Sequence, residues 1–439
     1  MRKDKISVGI IGFGTVGSGT ARILLQNRDI LSRRTGFDID IRKIADKDTV
    51  RDRGVEIPDG ILTPYVGDII DDPEIDIVVE LVGGIYPAKD FILGAIRNKK
   101  HVVTANKALL ATEGNEIFGE AARAGVEVGF EASVAGGIPI IKVLREGLVA
   151  NNMLAIYGII NGTSNYILTK MTDEHVEFSE ALAEAQRLGY AEADPTFDVE
   201  GIDSAHKLTI LSSLAYGMPL SFKDVYTEGI TKITSEDINF AAELGYKVKL
   251  LAITKNSGGE IEMRVHPTMI PSEYLISKVD GVFNAIYVEG DAVGSTLYYG
   301  RGAGNMPTGS AVVADIVDIG RNIVSGGVMR VPGISERRTK ETLHGRIRSI
   351  EDVEGMYYFR FSAMDKPGVL SRISGILGNK DISIASVIQK GRRIGGSVPL
   401  VVLTHRAKEK NVLEAVREID NLSIVSDKTL FIRVEGTGE

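Results

Sequence analysis

Short apolar segments alternate with longer segments of mixed polarity over the first 135 residues. The apolar segments are rich in Val and Ile, as buried parallel strands are, and the intervening segments have helical spacing. Strands are predicted over residues 6–11, 39–45, 75–82, 101–105 and 126–133, and helices over 18–27, 88–98 and 114–123. This alternation predicts an α/β fold built on a Rossmann-type, doubly wound parallel sheet.

The pattern changes after residue 135. Longer apolar segments typical of strands cover residues 155–160, 248–254, 261–267 and 285–289, and helical spacing is found over 201–216 and 308–320. We therefore predict a second domain of the α+β class. Residues 326–352 mix Gly, Pro and charged side chains, a composition that indicates a linker.

Residues 353–439 show a third pattern. Strand, helix, strand, strand, helix and strand are predicted, in that order, over 356–363, 367–378, 382–389, 398–404, 408–419 and 422–434. Apolar side chains at Val369, Ile373 and Leu377 give the first of these helices one buried face. The order βαββαβ predicts a ferredoxin-like domain.

A glycine-rich sequence, GFGTVG over residues 12–17, connects the first strand to the first helix. In this context Gly12 permits a tight turn, Gly14 lets the main chain approach a pyrophosphate, and Gly17 lets helix and strand pack closely. The helix start then presents main-chain N–H groups to the phosphates. The sequence predicts a dinucleotide-binding site; the alternative is an ordinary tight turn between strand and helix.

Asp46 directly follows the second predicted strand. An acid in this place usually binds the adenosine ribose and favours NAD. It lies further from the glycines than the usual spacing of about 20 residues, and the cations Lys47, Arg51 and Arg53 follow it. Because those cations could accommodate a 2′-phosphate, the choice between NAD and NADP stays open.

Two polar residues, Thr104 and Lys107, lie at the end of the strand predicted over 101–105. Ligands of doubly wound sheets bind beyond the carboxyl ends of the strands. Lys107 is therefore a candidate site residue. The alternative is a solvated surface lysine.

Acidic side chains are concentrated over residues 190–208, where a loop with Gly and Pro precedes a predicted helix. The charged residues of this region are Glu192, Asp194, Asp198, Asp203 and Lys207. Asp203 and Lys207 are four residues apart and so share one helix face. An ammonium held among carboxylates is suited to protonate a small carbonyl compound as hydride arrives. The alternative is a solvated helix ion pair, which stabilises by only about 0.3 to 0.5 kcal/mol.

Composition narrows the choice of chemistry. The 439 residues carry a formal net charge of −8 and no cysteine. The charge argues against a general affinity for nucleic acid, and no apolar segment approaches the ~20 residues of a membrane span. Without a thiol, aldehyde oxidation through a thiohemiacetal is excluded, whereas interconversion of a carbonyl with an alcohol is not. With a strand predicted from residue 6, no signal peptide is expected, so we expect a cytoplasmic protein.

Five sequence motifs together resemble homoserine dehydrogenase. They are GFGTVG at 12–17, TANK at 104–107, EASVAGGIP at 131–139, NGTSNYIL at 161–168 and EADPTFDVEGIDSAHKL at 192–208. The resemblance extends from about residue 6 to 325 and implies reversible reduction of L-aspartate 4-semialdehyde to L-homoserine with NADP or NAD. This reaction is a branch-point step towards threonine, isoleucine and methionine.

The resemblance also implies roles for individual residues. Lys207 would be the proton donor, Glu192 and Asp203 would bind substrate, and Lys107 would lie near both substrate and cofactor. The implied cofactor contacts are Gly12, Phe13, Gly14, Thr15, Val16, Gly17, Asp46, Thr104, Lys107, Gly189 and Gly304. A monovalent cation, Na⁺ or K⁺, would be held by a glutamate and main-chain carbonyls, at Glu131, Val134, Gly136 and Ile138.

The sequence DKPGVL at residues 365–370 resembles the ligand-binding loop of ACT domains, which pair with one another and bind amino acids. Regulation by an amino acid, threonine foremost, and a homodimer or larger homo-oligomer are therefore expected; the alternative is a ferredoxin-like appendage used only for dimerisation. The implied domains are dinucleotide-binding over 1–135, with a helix over about 305–325 packing back on it, substrate-binding over 136–304, a linker over 326–352, and ACT over 353–439.

Two other functional classes remain open. One is a different nicotinamide enzyme acting on another amino acid or hydroxy acid. The other is a catalytically silent sensor that binds a dinucleotide and an amino acid. The set of Glu192, Asp203 and Lys207 argues against a sensor, because a sensor needs no proton donor at the hydride site.

Overall fold

The structure is a computed structural model that describes residues 4–327, 346–390 and 396–436. Most of the predicted linker therefore lies outside the described residues. The chain divides into two compact units. The first comprises Met1–Ile160, Asp203–Val225 and Phe283–Gly345, and the second comprises Asn161–Ile202, Tyr226–Val282 and Arg346–Glu439.

The elements up to residue 216 follow the predicted alternation at first and then become mainly helical. In chain order they are β1 (Lys5–Ile11), α1 (Thr15–Gln26), α2 (Arg28–Thr35), β2 (Asp38–Ala45), β3 (Leu62–Thr63), α3 (Gly67–Ile70), β4 (Ile77–Glu80), α4 (Ala88–Arg97), β5 (His101–Thr104), α5 (Lys107–Ala124), β6 (Val128–Gly129), α6 (Ile140–Lys142), β7 (Met153–Ile159), α7 (Gly162–Glu174), α8 (Phe178–Arg187), α9 (Thr196–Val199) and α10 (Ile202–Tyr216).

Strands dominate the remainder of the chain. The elements are β8 (Tyr226–Thr227), α11 (Ser235–Glu243), β9 (Tyr246–Ser257), β10 (Glu260–Pro271), β11 (Phe283–Gly290), β12 (Gly294–Arg301), α12 (Asn305–Ser325), β13 (Arg346–Ile347), β14 (Glu354–Met364), α13 (Val369–Asn379), β15 (Ile384–Gln389), β16 (Ser397–Thr404), β17 (Ala407–Lys408), α14 (Glu409–Ile419) and β18 (Leu430–Val434).

The first unit is built on a six-stranded sheet in the order β3-β2-β1-β4-β5-β6, all of it parallel. The strand order reverses between β1 and β4, which is where such sheets open a ligand crevice. The Rossmann-type prediction is confirmed. The same unit contains an antiparallel set, β12-β11-β7.

Helix α12 packs closely on α1 in the first unit. A Cβ added at Gly309 would lie 2.9 Å from the main-chain carbon of Gly19, so small residues set the distance between these helices. The apolar face of α12, which includes Val312, Ile316 and Ile319, is buried in the core of the parallel sheet. This packing ties the first helix of the chain to one that begins nearly 300 residues later.

The second unit contains the strands β9-β10-β18-β14-β16-β15 as neighbours. Together with α13 and α14, the strands β14, β15, β16 and β18 have the predicted ferredoxin-like order. Strand β18 also pairs in parallel with β10, through Thr268 with Arg433 and Met269 with Val434. Beside this pairing, buried Arg264 on β10 donates to the carboxylate of Glu435. Strands of the α+β and ferredoxin-like parts thus share one sheet within this unit.

Several predicted boundaries are wrong. Strand β6 covers two residues, not 126–133, because the chain turns at Glu131, whose main-chain N–H bonds the side chain of Asp315. Strand β18 begins at residue 430 rather than 422. Helix α5 begins at Lys107 rather than 114, because the Asn106 side chain accepts from the N–H of Leu109 and caps the helix.

A buried carboxylate in the second unit gives a test of this packing. Asp237 completes a capping box with Thr234 and accepts from Arg360 at 2.6 Å. Asp237→Ala should lower the free energy of unfolding by about 3 kcal/mol, because it removes the acceptor for the N–H of Thr234 in the capping box and leaves a largely buried guanidinium without its main carboxylate. Urea denaturation measures the change. The control is Glu236→Ala, which removes an exposed carboxylate 3.4 Å from Arg360 and should cost less than about 1 kcal/mol. Equal losses would contradict this account.

Candidate active site

The glycine-rich turn has the shape of a phosphate cradle. Gly12 has φ +99°, and a Cβ there would lie 2.7 Å from the carbonyl oxygen of Leu81. A Cβ on Gly17 would lie 2.0 Å from the oxygen of Gly12, whereas one on Gly14 would meet nothing within 4 Å. Open space at Gly14, at the start of α1, leaves room for a pyrophosphate to approach the helix N–H groups. The residues present therefore fit a dinucleotide.

The carboxylate of Asp46 lies beside this turn. One oxygen accepts from the main-chain N–H of Phe13 at 2.6 Å, and the other accepts from the N–H of Asp48 and from Arg53. The Arg53 guanidinium is 5.2 Å from the centroid of the Phe13 ring. Sequence reasoning placed Asp46 at the ribose but did not foresee that the protein itself would bond both oxygens.

A buried acid at the end of β4 connects that strand end to the end of β5. Glu80 is completely buried; one of its oxygens accepts from the N–H of Val82 and the other from the hydroxyl of Thr104 at 2.7 Å. Asn106 adds a bond to the carbonyl of Gly84 at 2.6 Å. Glu80 was not among the predicted site residues, although an acid near the end of an apolar strand at the ligand-binding edge was a usable signal.

Lys107, Asp203 and Lys207 meet in the first unit. The Asp203 carboxylate is 2.7 Å from the Lys207 ammonium and 3.1 Å from that of Lys107. Lys207 also donates to the main-chain carbonyl of Ile160 at 2.6 Å. Asp203 and Lys207 are both more than nine-tenths buried. Asp203 and Lys207 are therefore not a solvated surface ion pair. Lys107, from a distant segment of the chain, adds a third charge to them.

Helix α10 is buried on nearly every face, which explains how it holds charged side chains inside the protein. His206 lies on another face than Lys207, with its ring 4.3 Å from that of Phe222. Burial lowers the pKa of His206 to about 4; the carboxylate of Asp203 opposes this shift, and the ammonium groups of Lys107 and Lys207 add to it. His206 is therefore neutral at pH 7.

Two other predicted site residues, Glu192 and Gly189, belong to the second unit. Both are exposed, and Gly189 has φ +75° with open space around its Cα. In the same unit Asp198 accepts from the side chain of Asn161 at 2.7 Å, and its main-chain oxygen accepts from Ser164. Asp198 thus joins the acid-rich loop to the start of α7.

The residues expected to bind a cation form a compact turn in which Ala135 and Gly136 have φ of +55° and +52°. The Glu131 carboxylate accepts from the N–H groups of Ile141 and Lys142, at 2.8 and 2.9 Å. In the described part of the chain no three His, Cys, Asp or Glu side chains form a metal cluster.

Gly304 precedes α12 with φ +123°. The next residue, Asn305, donates to the carbonyl of Thr15 at 2.6 Å and to the hydroxyl of Ser18 at 2.9 Å. The starts of α1 and α12 are therefore held together. Sequence reasoning predicted Gly304 through the family resemblance and missed Asn305.

Comparison with known proteins agrees with this geometry. A homoserine dehydrogenase family model matches residues 139–317, the model of the NAD-binding domain of homoserine dehydrogenase matches 12–131, and an ACT domain model matches 357–421. Homoserine dehydrogenase of Pseudomonas aeruginosa is 50% identical over 98% of this chain and 99% of its own length.

The chain belongs to the homoserine dehydrogenase family.

Solved structures of homoserine dehydrogenases are similar as well. The enzyme from Thiobacillus denitrificans has a TM-score of 0.93 at 50% identity, and the comparison covers 99% of both chains. A hyperthermophilic archaeal homoserine dehydrogenase, solved in complex with NADPH, has a TM-score of 0.61 at 27% identity and corresponds to 72% of this chain and 98% of its own. The protein is thus an oxidoreductase with a dinucleotide-binding domain, a mixed-sheet substrate domain and a C-terminal ACT domain.

The ACT domain of this homoserine dehydrogenase contains a cavity of about 440 Å³ at the predicted ligand loop. Its lining residues are Ala363, Met364, Asp365, Lys366, Pro367, Gly368, Val369, Leu370, Gln389 and Leu400. Gly368 has φ +86° and caps α13. In the part of the chain that the structure describes, no helix is both long and apolar enough to cross a bilayer.

The buried imidazole of His206 predicts a pH dependence of stability. Its pKa is about 4 in the folded state and about 6.5 when unfolded. The stabilisation from the neutral form is therefore present above pH 6.5 and is lost as the pH falls through 4. His206→Gln should lose less stability than the unmodified chain between about pH 7 and pH 5, measured by urea unfolding. The exposed His175→Gln is the control. If all three chains lose equal stability, His206 does not titrate as described.

Proposed function

We propose that this protein catalyses the reversible reduction of L-aspartate 4-semialdehyde to L-homoserine with NADPH or NADH, with Lys207 as the proton donor. The observation that most directly supports this proposal is the buried Asp203 carboxylate, which is bonded to the ammonium groups of Lys107 and the buried Lys207. Family membership supports the reaction. The alternative enzymes and the sensor are disfavoured because the whole chain matches one dehydrogenase family.

The bound reduced nicotinamide supplies the hydride that reaches the aldehyde carbon. Lys207 holds a proton on Nζ, and its bonds to Asp203 and Ile160 fix the direction of that group. As the carbon–oxygen double bond becomes single, the oxygen takes this proton and becomes the hydroxyl of homoserine. In the reverse direction the neutral amine of Lys207 removes the hydroxyl proton, so protons balance in both directions.

Substrate recognition follows from charge. Homoserine and the semialdehyde both carry an ammonium and a carboxylate. We assign the ammonium to Glu192 and Asp203, and we place Lys107 near the substrate and the cofactor. The proposed cofactor contacts are Gly12, Phe13, Gly14, Thr15, Val16, Gly17, Thr104, Gly189 and Gly304, and Asp46 lies beside the glycine-rich turn.

Replacement of the proton donor tests the reaction. Lys207→Ala should lower kcat for homoserine-dependent reduction of NAD and NADP by a factor of about 10² to 10⁴. Dinucleotide binding, followed by protein fluorescence or calorimetry, should be retained. Lys223→Ala, an exposed lysine in the same unit, is the matched control and should keep full activity.

Two outcomes would contradict the proposal. Activity of Lys207→Ala equal to that of the control would assign proton transfer to another group. Tight dinucleotide binding by the unmodified chain, with no turnover of homoserine, would favour the sensor.

Further expectations follow from the family. We propose that a monovalent cation, Na⁺ or K⁺, binds main-chain oxygens around Glu131, Val134, Gly136 and Ile138, where its charge would hold the turn together. A cytoplasmic homodimer or larger homo-oligomer acting in threonine, isoleucine and methionine biosynthesis is also proposed. The proposed domains remain 1–135, 136–304, 326–352 and 353–439, which the spans of the matching family models support.

We propose that the ACT cavity binds threonine and lowers the activity of the enzyme. An amino acid of this size fits a space of about 440 Å³. Asp365 supplies a carboxylate for the ligand's ammonium, and the start of α13 supplies N–H groups for its carboxylate. A ferredoxin-like part used only for dimerisation would bind no amino acid there.

Threonine titration of the full chain tests this site. Inhibition of homoserine oxidation should saturate, and Asp365→Ala should raise the half-inhibitory concentration by about tenfold or more, the effect of one charged hydrogen bond. Asp427→Ala, an exposed acid of the same domain outside the cavity, should leave inhibition unchanged. If threonine and the other amino acids neither bind nor inhibit, the regulatory proposal is wrong.

A further inference from the structure

The carboxylate of Asp46 is already engaged by the protein. It accepts from the main-chain N–H groups of Phe13 and Asp48 and from the Arg53 guanidinium, at 2.6, 2.9 and 3.2 Å. A carboxylate offers about four acceptor sites, so three of them are used. An acid that selects NAD does so by accepting from the ribose hydroxyls. Asp46 retains little capacity for that task.

Arg53 is the fixed cation at this position. Its side chain is only 10% exposed, whereas Lys47 and Arg51 are exposed. The guanidinium donates to the main-chain oxygens of Asp48 and Arg51, at 2.6 and 2.7 Å, in addition to Asp46. It also lies over the Phe13 ring, within the glycine-rich turn. A cation anchored at four points is placed there before any ligand arrives.

The charges at Asp46 and Arg53 determine whether the site favours NAD or NADP. The 2′-phosphate of NADP differs from the 2′-hydroxyl of NAD by about two negative charges. Next to an uncompensated Asp46 carboxylate that phosphate would be repelled. Arg53 offsets the carboxylate at 3.2 Å and presents a planar donor group of the kind that binds phosphate.

We propose that Arg53 is the specificity residue that admits the 2′-phosphate of NADP, and that Asp46 holds Arg53 and the glycine-rich turn instead of selecting NAD. The proposal depends on the proposed function only in taking a nicotinamide dinucleotide as the cofactor. It predicts that the site binds the 2′-phosphorylated nucleotide more tightly than its unphosphorylated counterpart.

Calorimetry of the full chain with two nucleotide fragments tests this selectivity. Adenosine 2′,5′-bisphosphate and 5′-AMP differ only in the 2′-phosphate, and neither undergoes reaction. Arg53→Ala should lower the affinity for the bisphosphate by about tenfold or more, which is the effect of one charged hydrogen bond. The affinity for 5′-AMP should change less than about threefold. Arg53→Lys should lie between the two. Arg51→Ala, which removes an exposed cation of the same loop, should leave the ratio of the two affinities nearly unchanged.

If Arg53→Ala lowered the affinities for both fragments equally, Arg53 would only support the loop and the proposal would be wrong. Unchanged affinities would also overturn it. Asp46→Asn gives a second test that keeps an acceptor for the N–H of Phe13. If Asp46 holds Arg53 and does not bind the ribose, the affinity for 5′-AMP should change less than about threefold, and a larger loss of 5′-AMP affinity would overturn the assignment of Asp46. The measurement contains no homoserine, so absence of dehydrogenase activity would not affect its outcome.

Discussion

One buried carboxylate, that of Asp203, holds the candidate active site of the first unit together. Its carboxylate is bonded to two ammonium groups, that of the buried Lys207 and that of the partly exposed Lys107. Burying such groups is costly, and replacing them with apolar side chains often leaves stability unchanged or improves it. Stability alone therefore gives no reason for the cluster. The proposed proton transfer would give one, because it needs an ammonium held in one direction.

Features set by local spacing could be predicted from the sequence. The GFGTVG turn and the pair of Asp203 and Lys207 depend on residues at most five positions apart, and the structure has both. The contacts that complete the cluster connect distant segments. Lys107 reaches Asp203 across 96 residues, and Lys207 reaches the main-chain carbonyl of Ile160 across 47. No periodicity encodes such contacts, since they depend on how the strands and helices pack.

The hydrogen-bond partners of acidic residues were also beyond what the sequence could predict. The sequence predicts that Asp46 and Glu131 bind ligands from outside the protein. In the structure both carboxylates also accept from main-chain N–H groups of the protein, and Asp198 accepts from Asn161. The sequence shows where a carboxylate needs hydrogen-bond donors, but it does not show which groups donate to it. The same limit affected strand lengths, because β6 ends where the N–H of Glu131 finds the side chain of Asp315.

The pairing of β18 with β10 bears on how freely this protein can be rearranged in evolution. Its last strand is a neighbour of a substrate-domain strand, and Glu435 just beyond it accepts from buried Arg264. Deleting the ferredoxin-like segment would expose the part of β10 that pairs with β18 and remove one of the two carboxylates bonded to the buried guanidinium of Arg264. The segment therefore cannot be removed without changes elsewhere in the sheet. A lineage that lost it would have to rebuild that edge, and a chain that acquired it would have to supply one.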